Sequence, residues 1–349
     1  MVGPAHSSSA IALALGGGGA RGLAHLGVLQ VLEAEGLQPM LLAGTSIGGL
    51  LAALSACGIA ATDIVEIARG FRFPRYFIPG RILGWHQIFP TAVPLLENRD
   101  FGNLTTPLLI SAVDLQRGEE VVLHAGPILP AVRATCAVPG VLAPERIGAR
   151  QLVDGAVMNV LPVDVAWTCE PDAVVAVNVR SLSTRPTGMD SRYARLATRL
   201  GRVVPNPLTA RRAFETAMRA VEVSLDRQTA LACAMTGPEI LIDVNIVDVS
   251  LRDFRSVDRV VAAGREAAQR ALPRLVAVFR AALCHEARPV YEWAAHLDPV
   301  CGMVVSRRRA HGRVTRDGVE YFFCSTSCRD NFERDPYRYR DCTAPAVEA

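Results

Sequence analysis

The sequence predicts an α/β protein: a three-layer α/β/α domain with a mainly parallel sheet, followed by a small cysteine-rich metal-binding module. Three observations carry this. Strand-length apolar runs alternate with stretches of helical periodicity through most of the 349 residues, the pattern of a sheet covered by helices. Half of the residues are hydrophobic and 20% are charged, enough to bury a sizeable core. Of the nine cysteines, Cys301, Cys324, Cys328 and Cys342 crowd the end of the chain, while the others are scattered through apolar or mixed surroundings that suit reduced thiols.

Taken in order, 11–15 reads as a fully buried strand, and 23–35 as a helix. A second strand over 40–43 leads into a buried helix over 47–56, and 63–71 reads as a third helix. Strands are expected over 108–113 and 120–124, a helix over 128–136, a short strand over 150–153 and a buried strand over 173–179. Two helices follow, over 193–203 and 209–235. The domain closes with a strand over 239–249 and a long helical stretch over 256–283 that breaks at Pro273. Between 71 and 89, Phe71, Phe73, Tyr76, Phe77, Trp85 and Phe89 alternate with Arg72, Arg75 and Arg81. This segment is either a mobile cap that meets acyl chains or a lipid surface, or an ordinary packed cap. The domains are expected at 10–283 and 297–342, joined by a linker over 284–296.

Composition excludes several chemistries. All 37 basic residues are arginine, so there is no P-loop lysine, pyridoxal Schiff base or Ser-Lys dyad. The net charge of +3 gives no reason to expect a nucleic-acid partner. The start of the chain has no basic region before its apolar run, so no signal peptide is read there. The uncharged stretch 36–62 is interrupted by Pro39, Gly44, Gly48 and Gly49, which suits a strand, a turn and a helix better than a membrane span. A cytoplasmic protein is expected, with at most peripheral contact at the inner membrane face.

The most informative segment is Gly44-Thr45-Ser46-Ile47-Gly48. Small residues two before and two after a serine let a strand turn sharply into a helix, leaving the serine exposed on a strained elbow. Upstream, Gly17-Gly-Gly-Ala-Arg-Gly22 follows the first strand and can aim several backbone N–H groups at one anion. A dinucleotide loop would want an acid at the end of the second strand, where Gly44-Thr-Ser46 stands instead. An oxyanion hole is the more economical reading. Of His6, His25, His86, His124, His285, His296 and His311, none sits in a convincing late turn, and His25 reads as a packed or capping residue. Asp154 is the best candidate base, since it ends a short strand and enters the Gly155-Ala156 turn. A simple Asp-Gly turn is the alternative.

These motifs together resemble the patatin-like phospholipase family, above all its small bacterial members related to the neuropathy target esterase catalytic domain. Gly22-Leu-Ala-His-Leu-Gly-Val28, Arg133-Ala-Thr-Cys-Ala-Val-Pro-Gly140, Asn159-Val-Leu-Pro162 and Asp253-Phe254 extend the resemblance over 10–283. It implies a Ser-Asp dyad without a catalytic histidine. Ser46 would be the nucleophile and Asp154 the base. Gly17, Gly18 and Gly19 would supply the oxyanion donors, and Arg21 would take the family's basic position in that loop, the alternative for it being a surface residue of a helical turn. Gly22, Gly44, Gly48 and Gly155 belong to the same motifs. The implied substrate is a lipid or lysophospholipid ester, with no cofactor. A broad carboxylesterase and a non-catalytic metal-responsive binding protein are the competing readings.

The tail has its own logic. A C-x3-C pair after Tyr321-Phe-Phe323, with Cys301 from a separate knuckle, nearly completes a tetrahedral site for a soft metal. Asp298-Pro-Val-Cys-Gly-Met303, Tyr321-Phe-Phe-Cys-Ser325, Cys328, Phe332, Asp335-Pro336 and Tyr339 resemble the YHS domain. The resemblance implies Cys301, Cys324 and Cys328 as ligands of zinc or another soft transition metal, with His311, Cys342 or a water as the fourth.

Overall fold

The computed structural model describes residues 9–74, 82–180, 207–246, 249–283, 295–300, 304–306 and 310–342. Strands β1 (Ser9–Leu15), β2 (Pro39–Thr45), β3 (Leu108–Asp114), β4 (Glu119–Leu123), β5 (Glu145–Ile147), β6 (Arg150–Asp154), β7 (Ala173–Arg180) and β8 (Ile240–Asn245) form one sheet. Its order is β5-β6-β3-β2-β1-β7-β8, with β4 added on β3. The pairs from β3 to β8 along this path are parallel, while β4, β5 and β6 make the antiparallel end.

The sheet is covered on both faces, which is why its central strands read as unbroken apolar runs. Ile11, Leu13 and Leu15 join one buried cluster, and Ala12 and Ala14 join another on the opposite face, as the two-residue period of a strand requires. The first face packs α1 (Ala24–Ala34), α2 (Ile47–Ala56), α3 (Ala61–Arg69), α6 (Ile128–Thr135) and α9 (Val257–Leu283). The second face packs α7 (Val163–Trp167) and α8 (Pro207–Thr236). Helix α2 is buried along nearly its whole length, which explains a charge-free sequence where a surface helix would carry polar residues.

Two expectations change. The last helix does not break at Pro273 but runs from Val257 to Leu283. Its Val260, Val261, Ala268, Leu275 and Phe279 are buried against the core, and that packing outweighs the hydrogen bond a proline removes. The strand expected over 239–249 is shorter, Ile240–Asn245. The described part of the aromatic segment is a packed cap. It includes the single-turn helix α4 (Trp85–Ile88), and a second single turn, α5 (Val93–Leu96), follows it. Phe89 lies 5.0 Å from Phe71 and 6.0 Å from Phe254, ring centre to ring centre. Tyr76, Phe77, Arg75 and Arg81 lie outside the described residues, as does the helix expected over 193–203.

The tail is built from two antiparallel pairs, β9 (Ala295–Leu297) with β10 (Val304–Ser306) and β11 (Gly312–Arg316) with β12 (Val319–Phe323), followed by α10 (Thr326–Arg334). Phe322, Phe323 and Phe332 are its largest buried side chains. β10 lies beside α7 of the main domain.

Candidate active site

The topology brings Ser46 and Asp154 together through β3. Residues Leu108 to Ser111 of β3 pair with β2, and Ala112 to Asp114 pair with β6. Because β4 occupies the opposite edge over Ile110 to Asp114, β2 and β6 share one edge and meet end to end. Thr45 is opposite Ser111, and Asp154 is opposite the next residue, Ala112. Ser46 turns out of β2 with φ 56° and ψ −128°, a left-handed conformation that costs a non-glycine residue energy. A side chain at Gly48 would collide with the Leu15 carbonyl, and one at Gly155 with the Ser111 carbonyl, so both turns need glycine. Gly44 packs against Gly49, and Gly22 against Ile47.

Ser46 Oγ donates a 2.7 Å hydrogen bond to Asp154 Oδ2. Asp154 Oδ1 accepts from the Ala156 amide at 2.9 Å. The Ser46 amide donates to Thr135 Oγ1 at 2.8 Å, and that hydroxyl donates to the Ser111 carbonyl. Burial pushes the Asp154 carboxyl up to about 7, opposed by the Ala156 and Ser46 hydrogen bonds. Desolvation therefore leaves a carboxylate more basic than an exposed one, poised near neutral pH. The Cys136 thiol, buried beside Asp154, is raised by burial and by the aspartate charge.

The glycine loop approaches from β1. Gly17 does not offer a free amide, as expected of it, because its N–H donates to the Val160 carbonyl at 2.8 Å. Among the described residues the amides of Gly18 and Gly19 donate no hydrogen bond, and Gly19 has φ 53°. Arg21 is buried, not a surface residue, and its Nε donates to the Val249 carbonyl at 2.6 Å. His25 packs beneath the loop with Nε2 2.7 Å from the Gly16 carbonyl, and burial lowers it to about 4, so it is neutral.

Behind the pair lies a buried polar network that the sequence reading did not identify. Asn159 Nδ2 donates to Glu120 Oε1 at 3.0 Å and to Asp164 Oδ1 at 2.7 Å. Ser111 Oγ also donates to Glu120 Oε1. Burial raises both acids, and the Asp164 charge raises Glu120 further.

In the tail, ligand-type atoms of Asp298, Cys324 and Cys328 all lie within 4.8 Å of one another. The two sulfurs are 3.7 Å apart, close to the ~3.8 Å that two thiolates on one tetrahedral zinc would span. Asp298 Oδ1 accepts from the Val300 amide and Oδ2 from the Cys324 amide at 2.8 Å. His311 is exposed and outside this cluster. Cys301 and the Cys342 side chain lie outside the described residues. In the sequence Asp298 stands out only as the first residue of the Asp298-Pro-Val-Cys-Gly-Met303 segment that resembles the YHS domain, and its convergence on the thiols is seen only in the structure.

Residues 13–167 match the family model for patatin-like phospholipase. Over this stretch the main domain is similar to patatin-like phospholipases. Residues 296–341 match the YHS domain. An uncharacterized NTE family protein of Mycobacterium tuberculosis is 29% identical over 277 residues, covering 75% of this chain and 46% of that one. Another, from Mycobacterium bovis, is 32% identical over 187 residues, 52% of each chain. Patatin-like phospholipase domain-containing protein 6 of Mus musculus is 29% identical over 194 residues, 50% of this chain and 14% of its own. The chain thus spans about half the length of the mycobacterial relatives. Both resemblances and the α/β architecture expected from sequence are borne out. Among the described residues, no helix is long and apolar enough to cross a membrane.

Proposed function

We propose that the patatin-like domain is a serine acyl hydrolase that cleaves lipid or lysophospholipid esters. The observation that carries this reading is the 2.7 Å bond from a hydroxyl on a strained elbow to a desolvated carboxylate. Ser46 Oγ attacks the ester carbonyl carbon while Asp154 Oδ2 takes its proton. The amides of Gly18 and Gly19 stabilise the oxyanion. The tetrahedral intermediate collapses, the alcohol leaves with the proton, and an acyl-serine remains. Water, deprotonated by Asp154, then attacks the acyl-serine and releases the fatty acid. Gly17 holds the loop in place by donating its amide to the Val160 carbonyl, so that amide is not one of the oxyanion donors. A lipid substrate implies peripheral contact with a membrane surface. The YHS domain would hold zinc or another soft transition metal through Cys324 and Cys328, with Cys301 and Asp298 completing the donors. A metal there supplies a structural cross-link, and no step of ester hydrolysis passes through it.

The test is hydrolysis of phospholipid vesicles and a short-chain ester series by wild type, Ser46→Ala and Asp154→Asn. Both substitutions are expected to lower kcat/KM by on the order of 10⁴-fold or more while the fold is kept. Wild-type activity should rise with pH through about 7 as Asp154 loses its proton. Activity surviving Ser46→Ala would overturn the mechanism. Activity confined to short soluble esters would replace the lipid substrate with the carboxylesterase reading.

A further inference from the structure

We propose that Asn159 is a positioning residue of this hydrolase, fastening the Ser46 elbow, the Asp154 turn and the glycine loop to one buried anchor. The inference rests on the hydrolase reading above.

Three parts of the site converge on residues 159 and 160. Thr45 Oγ1, on the residue before the nucleophile, donates to the Asn159 carbonyl at 2.9 Å. The Asn159 amide donates to the carbonyl of Gly155, the residue after the base, at 2.8 Å. The next carbonyl, Val160, accepts the Gly17 amide at 2.8 Å. On residues 159 and 160 all three contacts use main-chain atoms, so they hold only while this short segment keeps its place.

The side chain of Asn159 keeps it there. One amide nitrogen donates both hydrogens, one to Glu120 on β4 and one to Asp164 on α7. Glu120 also accepts from Ser111 Oγ, and the Ser111 carbonyl accepts Thr135 Oγ1, which takes the Ser46 amide. The chain of bonds therefore closes around the Ser46–Asp154 pair from both sides. Asparagine suits the anchor because a buried acid pair needs a neutral double donor. An alanine leaves both carboxyls without that donor. An aspartate would add a third acid.

Asn159 touches none of the reacting atoms, so its effect passes through geometry. The groups facing Asp154 are the Ser46 hydroxyl, the Ala156 amide and the Cys136 thiol. If the elbow drifts, Asp154 loses the Ser46 bond that lowers its proton affinity, and the acid limb of the rate profile moves to higher pH.

The experiment compares full-length wild type, Asn159→Ala, Asp164→Asn and Thr45→Val. Readouts are labelling of Ser46 by a fluorophosphonate, kcat and KM on a soluble ester across pH, and thermal melting. Asn159→Ala is expected to lose on the order of a hundredfold in kcat with KM little changed, and to shift its acid limb upward. Asp164→Asn keeps an acceptor for Asn159 and should stay within a few-fold of wild type. Thr45→Val cuts the elbow from Asn159 without disturbing the acid pair, and should shift the limb even if Asn159→Ala fails to fold. The proposal is overturned if a folded Asn159→Ala keeps wild-type kcat and limb, or if kcat falls with the limb unmoved. A wild type that the probe does not label at Ser46 overturns the hydrolase reading itself, and the proposal with it.

Discussion

The main domain and the tail each hold a buried aspartate beside potential reactive groups, but they hold it by different means. Asp154 accepts one backbone amide and one serine hydroxyl inside a sheet covered on both faces. Asp298 spends its two oxygens on two backbone amides, and it faces a pair of thiols in a module whose main buried side chains are Val305, Phe322, Phe323 and Phe332. The first site is set by the packing around it and needs no bound group to exist. The second belongs to a fold with little apolar area, where a bound metal would contribute much of the stability.

The largest expected effect breaks this contrast most directly. Chelation, or Cys324→Ser with Cys328→Ser, should remove the tail's folding transition, since metal binding in such small domains is worth on the order of 10 kcal/mol. The main-domain transition should stay where it was. Calorimetry with and without chelator reads both, and a tail that melts identically in the two conditions would show that its aromatic core suffices.

A truncation in the main core comes next. Leu13 is almost fully buried in the central strand, so Leu13→Ala should cost about 3 kcal/mol from lost burial and a cavity. Denaturant titration measures it, and the slope should not change. A cost below about 1 kcal/mol would mean the sheet repacks easily and would weaken the view that packing alone sets the dyad.

A smaller effect has the opposite sign. A carboxyl raised from 3.8 to about 7 holds its proton more tightly when folded than when unfolded. It costs nothing below the unfolded value, and the cost grows as pH rises toward about 7. Asp154→Asn should therefore be more stable than wild type at pH 8, by up to ~4 kcal/mol less what weaker bonds to Ser46 and Ala156 cost, and no more stable at pH 3.5. Equal stability at both pH values would show that the aspartate is solvated in solution. A stabilised, inactive variant is the expected mark of a strained functional site.

Legibility in the sequence follows the range of the contacts. The elbow at Ser46, the turn at Asp154 and the buried helix over 47–56 were readable because each depends on neighbours a few residues away. The commitment of the Gly17 amide was not readable, since its partner Val160 comes from the far side of β6. Glu120 reads as an ordinary strand residue, and only pairing with β3 places it beside Ser111 and Asn159. Asp298 reads only as the start of the YHS-like segment, although it also accepts the Val300 amide two residues on. Its approach to Cys324 depends on how the two strand pairs of the tail meet.

Pro273 is the converse case, where a reliable local rule lost to tertiary packing, and it yields the smallest prediction. The proline sits inside α9, flanked by Ala268 and Leu275 in the core. Pro273→Ala would restore one helical hydrogen bond, worth ~1 kcal/mol. It would also free the unfolded chain, which costs about 0.4–1 kcal/mol. The two nearly cancel, so the melting temperature should rise by a few degrees at most. A clear fall would mean that the proline shapes α9 to fit α1 and the sheet. The main domain would then depend on a bend in that helix as well as on the apolar area it buries.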